Sequence, residues 1–355
     1  MSQDRWTEQD TTPERIESAL REMLHDRHAQ NDAFIPARVL NLVVVCDRDW
    51  KGEVANRLER VGRYHASRTI LCAVQDGRTT LDAVAVISGD DPEVGGLGVL
   101  LEQVEIDLGP DQVTRLDTII DPILVSDLPT LLWSPHGHRE VFDAMLGRVD
   151  VVLLDTDDLD DVEGPADGLA QAADLLERAY VVDLAWLRTT PWRERLAASF
   201  DRPARRELLG CLDEVEVRHH ASSIGSALLL AGWLSSCLDW SPEPLEGTSG
   251  RLQGMARHDG DLEVSFELEP VGQDVPGIAG VTVGCEDRGF WLSLERGRGG
   301  LVARQRLSAD DPEREWQILG ASRGEYGILG EGVRQALLRD PTYTSALGAA
   351  RRFCP

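Results

Sequence analysis

Apolar positions in the first half of the chain recur in two patterns. Ile16, Leu20 and Leu24 fall at i, i+4 and i+8 behind Thr12-Pro13, which predicts a helix over 12–28 with a threonine cap and a proline in its first turn. The run 38–46, RVLNLVVVC, is almost continuously apolar and rich in valine, the pattern of a strand buried on both faces in a parallel sheet. A loop over 31–37 precedes it. Val54, Leu58 and Val61 then predict a helix over 53–64, and strands follow at 69–74, 81–88 and 99–108. The last two lack an intervening helix, so they are expected to pair antiparallel. Further on the pattern predicts a helix over 113–125, a strand at 130–133, a helix over 140–148, a strand at 151–154 and a helix over 169–179. Strands alternating with helices at this spacing predict an α/β fold, with a mixed, mostly parallel sheet and flanking helices.

The stretch 180–201, YVVDLAWLRTTPWRERLAASFD, is the most distinctive. Residues 180–186 read as a strand or a helix end. Thr190-Pro191 has the form of a helix start, and Trp192, Leu196 and Phe200 then form one apolar ridge. A strand is expected at 214–218. Residues 219–238, HHASSIGSALLLAGWLSSCL, are apolar nearly all round and read as a buried central helix, whose small residues let another element come close. Residues 241–250 read as a linker, which divides the chain into 1–240 and 251–355. The second part alternates in short runs at 251–258, 262–269, 280–285, 290–295 and 301–307, followed by a helix over 328–338. It predicts a smaller α+β domain with an antiparallel sheet.

Charge sharpens this picture. Acids number 62 against 36 bases, for a formal charge of −26, which disfavours nucleic acid and anionic membrane as partners. No run is long and apolar enough to span a bilayer, and the acidic start does not resemble a signal peptide. The six cysteines are scattered with no CxxC, as expected of reduced thiols in the cytosol. Cys46 and Cys72 read as core thiols, and Cys354 as the most reactive.

Candidate chemistry is sparse, and no cofactor is nominated. Gly95-Gly96-Leu97-Gly98 precedes a strand instead of opening a helix, so it fails as a dinucleotide loop. His136 and His138 offer two metal ligands with no third in view. Their loop, Trp133 to His138, nonetheless sits at the C-terminal end of a strand, where α/β proteins bind small molecules. The acidic run from Asp155 to Asp161 lacks the glycine and glutamate of a calcium loop. It reads as a solvated loop or as a docking patch for a basic partner. Arg218, His219, His220, Ser222 and Ser223 at the start of the apolar helix form a candidate anion site. Trp186, Arg188, Trp192 and Arg193 are residue types enriched at interface hot spots, against the alternative that both tryptophans fill the core. No catalytic residues emerge.

Four stretches together resemble one family: PARVLNLVVV at 36–45, LWSPHG at 132–137, DLAWLRTTPWR at 183–193 and VRHHASS at 217–223. They are similar to the OpcA family, the glucose-6-phosphate dehydrogenase assembly proteins, over roughly residues 12 to 240. The resemblance implies a non-catalytic, cytoplasmic partner of glucose-6-phosphate dehydrogenase, an assembly or allosteric activator subunit that supports NADPH production in the oxidative pentose phosphate pathway. Some relatives are thought to respond to redox through cysteines, a property not carried over because no cysteine pair stands out here. Two other expectations compete. One is an enzyme or sensor for a phosphorylated sugar at the Trp133–His138 loop or the Arg218–Ser223 helix start. The other is a scaffold that uses its acidic face.

Overall fold

In the computed structural model, which describes residues 2–30, 34–36, 38–62, 66–89, 98–158, 164–248, 251–258, 262–319, 325–336, 338 and 340–354, the valine-rich runs assemble into one sheet. Its strands are β1 (Ser2–Glu8), β2 (Phe34–Pro36), β3 (Leu40–Asp47), β4 (Ser67–Val74), β5 (Asp82–Gly89), β6 (Gly98–Leu108), β7 (Thr130–Trp133), β8 (Val151–Leu154) and β9 (Tyr180–Asp183). They lie in the order β1-β5-β6-β4-β3-β7-β8-β9, with β2 beside β6. β6, β4, β3, β7 and β8 run parallel to one another, whereas β5 pairs antiparallel with both β6 and β1. Continuous apolarity follows from this placement: seven of the eight residues of β3 are buried, because both faces of a parallel sheet are covered. β5 instead alternates buried and half-buried residues.

The helices of this first half are α1 (Pro13–Gln30), α2 (Lys51–Gly62), α3 (Pro110–Val113), α4 (Leu116–Ile120), α5 (Glu140–Met145) and α6 (Pro165–Arg178). The helix expected over 113–125 is broken into α3, α4 and a 3-10 turn at Asp121–Ile123. Three residues of the expected 31–37 loop form β2. Counted in chain order, the strands from β6 to β9 stand in the arrangement 3-2-1-4-5-6, which is the order of dinucleotide-binding α/β folds.

The second sheet comprises β10 (Glu214–His220), β11 (Ser241–Pro242), β12 (Glu246–Thr248), β13 (Arg251–Arg257), β14 (Glu263–Val271), β15 (Ile278–Cys285), β16 (Phe290–Gly297), β17 (Gly300–Arg306) and β18 (Arg314–Leu319). Its order is β11-β13-β14-β10-β15-β16-β17-β18, with β12 beside β13, and among the described strands only the β10–β14 pairing is parallel. The helices here are α7 (Leu184–Ser199), α8 (Pro203–Arg206), α9 (Ile224–Cys237), α10 (Glu325–Gln335) and α11 (Tyr343–Arg352). One face of the sheet buries Val215, Val217, Phe266, Leu268, Val281, Val283, Leu292 and Leu294.

Three expectations are corrected. The helix of the 180–201 stretch starts at Leu184, not at Thr190, and Pro191 lies inside it. Asp183 takes the capping position because its carboxylate accepts the Ala185 N–H at 3.0 Å. The central helix starts at Ile224, since 219–220 complete β10. His219 and His220 go to the strand because its pairing with β14 extends through them, and 221–223 form the turn before the helix. The division of the chain also falls elsewhere. Residues 241–242 and 246–248 are strands of the second sheet, and 214–237 belong with that sheet. One unit holds Met1–Leu154, Arg178–Val182 and Gly332–Leu337, and the other holds Asp155–Glu177, Asp183–Glu331 and Leu338–Pro355.

Candidate functional site

The 183–193 run is the hub of the second unit. The Asp183 carboxylate is 1% exposed. Besides Ala185 N–H it accepts the Thr156 N–H at 3.1 Å, the Thr156 hydroxyl at 3.0 Å and the Tyr343 hydroxyl at 2.9 Å. Burial pushes its pKa up to about 6, helped by the Asp155 charge and opposed by the Thr156 and Tyr343 hydrogen bonds. Burial and the Asp183 carboxylate likewise push the Tyr343 phenol upward.

One turn into α7, Arg188 makes a two-pronged bond to Asp155, at 2.6 and 2.7 Å, and reaches Asp157 at 3.4 Å. Asp157 in turn accepts the Ser226 N–H at 2.8 Å and the Ser226 hydroxyl at 2.6 Å. Its carboxylate thus sits at the N-terminus of α9, where free N–H groups and the helix dipole favour negative charge. Burial pushes it up to about 7 while Arg188 pulls it down. The close approach requires glycine at 225, because a Cβ there would lie 2.4 Å from the Thr156 carbonyl oxygen.

The remaining residues of the run are also held inside. Trp186 is 2% exposed and donates its indole N–H to Asp340 at 2.8 Å. The Arg193 guanidinium lies 3.5 Å above the Trp186 ring and bonds Thr189 and Thr190 at 2.9 and 3.1 Å. Burial lowers the Arg193 pKa to about 10. Burial alone would raise Asp340, but hydrogen bonds from Thr342 and Trp186, with the Arg193 charge, hold it below the ordinary carboxylate range. Trp192 and Leu196 are buried, and Phe200 meets Phe290 edge-on at 5.9 Å. Of the four residues expected at an interface, Trp186 and Arg193 are brought together and share Asp340, Arg188 is paired with Asp155, and Trp192 is buried. Spacing alone does not separate these outcomes, since a hot spot and a core joint use the same residue types.

The expected anion group at 218–223 is not brought together. Arg218 points to one face of the second sheet and pairs with Glu295 at 3.0 Å. His219 is fully buried, and its Nδ1 lies 2.7 Å from the His220 carbonyl oxygen. His220 Nδ1 lies 2.8 Å from the Ser222 hydroxyl, and the Ser223 hydroxyl accepts the Gly277 N–H at 2.8 Å. The anion at the α9 N-terminus is the chain's own Asp157, which the sequence pattern assigns to a solvated acidic loop. Residues 159–163 of that loop, like 95–97 of the glycine cluster, lie outside the described residues.

In the first unit, Trp133 is buried in β7, and the loop after it turns through three successive positive φ values: 59° at His136, 117° at Gly137 and 63° at His138. The His136 ring stacks on Trp50, with centroids 4.4 Å apart. His138 Nε2 lies 2.9 Å from Asp47 and its Nδ1 3.2 Å from Glu140. The Ser134 hydroxyl donates to the Gly137 carbonyl at 2.7 Å. The cations after β3 are matched, with Arg48 on Asp107 and Lys51 on Asp107 and Glu105.

Cys46 and Cys72 are core thiols, and burial pushes the Cys46 pKa up to about 12. Burial raises the Cys354 thiol too, which disfavours its thiolate. Cys211 is pushed up to about 12 by burial and by the Cys285 thiol beside it, a proximity that scattered spacing concealed. Among the described residues no helix is long and apolar enough to cross a membrane.

The comparisons with known proteins agree with one another. Models for the N-terminal and C-terminal domains of a glucose-6-phosphate dehydrogenase subunit match residues 58–173 and 179–347. The chain is 25% identical over 242 residues to a putative OxPP cycle protein OpcA of Synechocystis sp., covering 61% of this chain and 50% of that protein. It is 26% identical over 242 residues to the counterpart from Synechococcus elongatus, covering 65% and 50%. The chain thus spans about half the length of these curated relatives. Among solved structures, KijD10, a 3-ketoreductase from Actinomadura kijaniata in complex with TDP-benzene and NADP, superposes with a TM-score of 0.50 at 10% identity, over 89% of this chain and 95% of that one. That likeness speaks to the fold.

Proposed function

The chain belongs to the OpcA family of glucose-6-phosphate dehydrogenase subunits, and from that premise we propose that it is a non-catalytic cytoplasmic partner that binds the dehydrogenase, favours its active form and so supports NADPH production. The observation that carries this reading is the match of both subunit domains along successive stretches of the chain. A partner that binds one form of an enzyme more tightly shifts the population toward it without chemistry of its own.

The proposal gives Trp186, Arg188, Trp192 and Arg193 a positioning role, because their side chains are spent on internal contacts. The contact surface it assigns is the outward face of the second sheet, opposite the apolar face covered by helices. Glu214, Glu216, Gln253, Met255, Ser265 and Glu267 there line a depression of about 340 Å³. Burial and the neighbouring acids raise the Glu214 pKa, a sign of crowded negative charge. Arg218 and Arg251 pair with Glu216 and Glu267 on this face, and a basic segment of the partner would compete for those acids. Against the sugar-phosphate alternative at the Arg218–Ser223 helix start speaks the Asp157 carboxylate, which already accepts the Ser226 N–H of the first turn of α9.

The test is a dehydrogenase assay at varied glucose 6-phosphate, with and without this protein, paired with size-exclusion chromatography. A lower half-saturation or a higher maximal rate, with co-elution, is expected. Unchanged kinetics and separate elution overturn the proposal.

A further inference from the structure

The strand order of the first sheet places a dinucleotide crevice at one spot. In the 3-2-1-4-5-6 arrangement it opens at the C-terminal ends of the first and fourth strands, here β3 and β7. The pyrophosphate needs a glycine-rich turn after the first strand and the N–H groups of the helix that follows. The turn here reads Asp47-Arg48-Asp49-Trp50-Lys51-Gly52, with its glycine inside α2 and not in the turn. Two carboxylates, Asp47 and Asp49, belong to this turn, and their charge opposes that of a pyrophosphate. Arg48 and Lys51 do not offset them, because both are bonded to carboxylates of β6.

The crevice is also bridged from wall to wall. The Trp50 ring, carried by the turn after β3, stacks on His136 of the loop after β7 at 4.4 Å. Beside it Asp47 and His138 join the same two loops at 2.9 Å. Holding His136 and His138 at positive φ costs energy that non-glycine residues accept only where surrounding contacts fix them. These cross-crevice contacts supply that fixation. The residues present therefore do not fit the cofactor that the fold implies.

We propose that the Trp50–His136 and Asp47–His138 contacts form a latch that closes the dinucleotide crevice, so that this chain takes no nicotinamide dinucleotide. Any NADP in an assembly with an enzyme is then held by that enzyme. The latch is a property of the isolated chain, so its test is independent of the partner assay.

The experiment titrates the purified protein with NADP+ and NADPH, following thermal midpoint, NADPH emission and binding heat. No saturable binding and no midpoint shift are expected up to about 5 mM, a concentration at which even a weak ligand of the native state would raise the midpoint. Trp50→Ala is expected to lower the midpoint by a few degrees, and Asp47→Asn by less, because asparagine can still accept from His138. Saturable dinucleotide binding by the unmodified protein overturns the exclusion. An unchanged midpoint in both variants overturns the latch. If Trp50→Ala does not fold, Asp47→Asn and the titration of the unmodified protein still decide the matter.

Discussion

Asp183 accepts four hydrogen bonds in the interior and still titrates high, up to about 6, because burial outweighs its partners. The folded state therefore holds this proton more tightly than the unfolded chain does. Its contribution to stability is full below pH about 4 and is lost as pH rises through about 6. Asp157, pushed up to about 7, acts in the same direction. Asp183→Asn removes one of these two contributions. The unmodified protein is therefore expected to lose thermal midpoint relative to Asp183→Asn as pH goes from 5 to 7, and parallel curves would refute the assignment. In the first unit, Glu102 is a fully buried side chain that bonds Arg68 at 2.6 Å and also Arg38. Glu102→Ala leaves both arginines without that partner, and Arg68 is itself buried, so a loss of about 3–5 kcal/mol in chemical denaturation is expected. Residue types announce neither role. An acid reads as surface by default, and only the fold shows which acids it encloses.

At the scale of elements, what is legible in the sequence depends on whether burial is periodic. β3, β4, β7 and β8 stand out because a parallel strand buried on both faces is apolar throughout, and the antiparallel pair β5–β6 follows from the missing helix between them. β18 is illegible: five of its six residues are exposed, so no alternation survives. β1 escapes notice because its sequence, SQDRWTE, is polar, although it pairs with β5 along its length. The start of α7 misleads because Thr-Pro carries a start signal that the Asp183 cap pre-empts. The small residues of α9 are legible as a sign of close approach, and Gly232 shows how close. A Cβ there would lie 2.3 Å from the Ala346 carbonyl oxygen and 2.7 Å from the Ala350 nitrogen of α11. Gly232→Ala is thus expected to cost about 1–3 kcal/mol by forcing the helices apart, despite the better helix propensity of alanine. A gain in thermal midpoint would mean that the α9–α11 contact relaxes freely. On the outward face of the second sheet the same logic gives a binding prediction. Glu216→Gln with Glu267→Gln is expected to weaken association with the dehydrogenase several-fold while leaving the midpoint within about 2 °C, because the partly exposed pairs with Arg218 and Arg251 that are lost contribute only about 0–1 kcal/mol each. Unchanged affinity moves the contact surface elsewhere.

For the molecule as a whole, the largest influence outside the core is its charge of −26. Two effects of salt oppose each other. Added salt screens the mutual repulsion of excess carboxylates, which stabilises the folded chain, and it also weakens surface ion pairs such as Arg15–Glu8 and Arg178–Asp143. Exposed pairs contribute only about 0–1 kcal/mol each, and the buried joints at Asp155–Arg188 and Glu102–Arg68 are shielded from solvent ions. Bases are also too few to pair the acids, at 36 against 62, so unscreened repulsion remains after every ion pair is formed. Repulsion should therefore win. The thermal midpoint is expected to rise by several degrees between about 10 and 200 mM sodium chloride, as the screening length falls from about 30 to about 7 Å. A neutral osmolyte at matched osmolality separates screening from preferential exclusion, because it leaves the repulsion in place. A midpoint that falls with salt would show that ion pairs, and not excess charge, govern the surface energy. Association with a basic partner segment should respond in the opposite sense, with an on-rate that drops as salt rises. Stability and binding measured over one salt series thus separate self-repulsion from partner attraction.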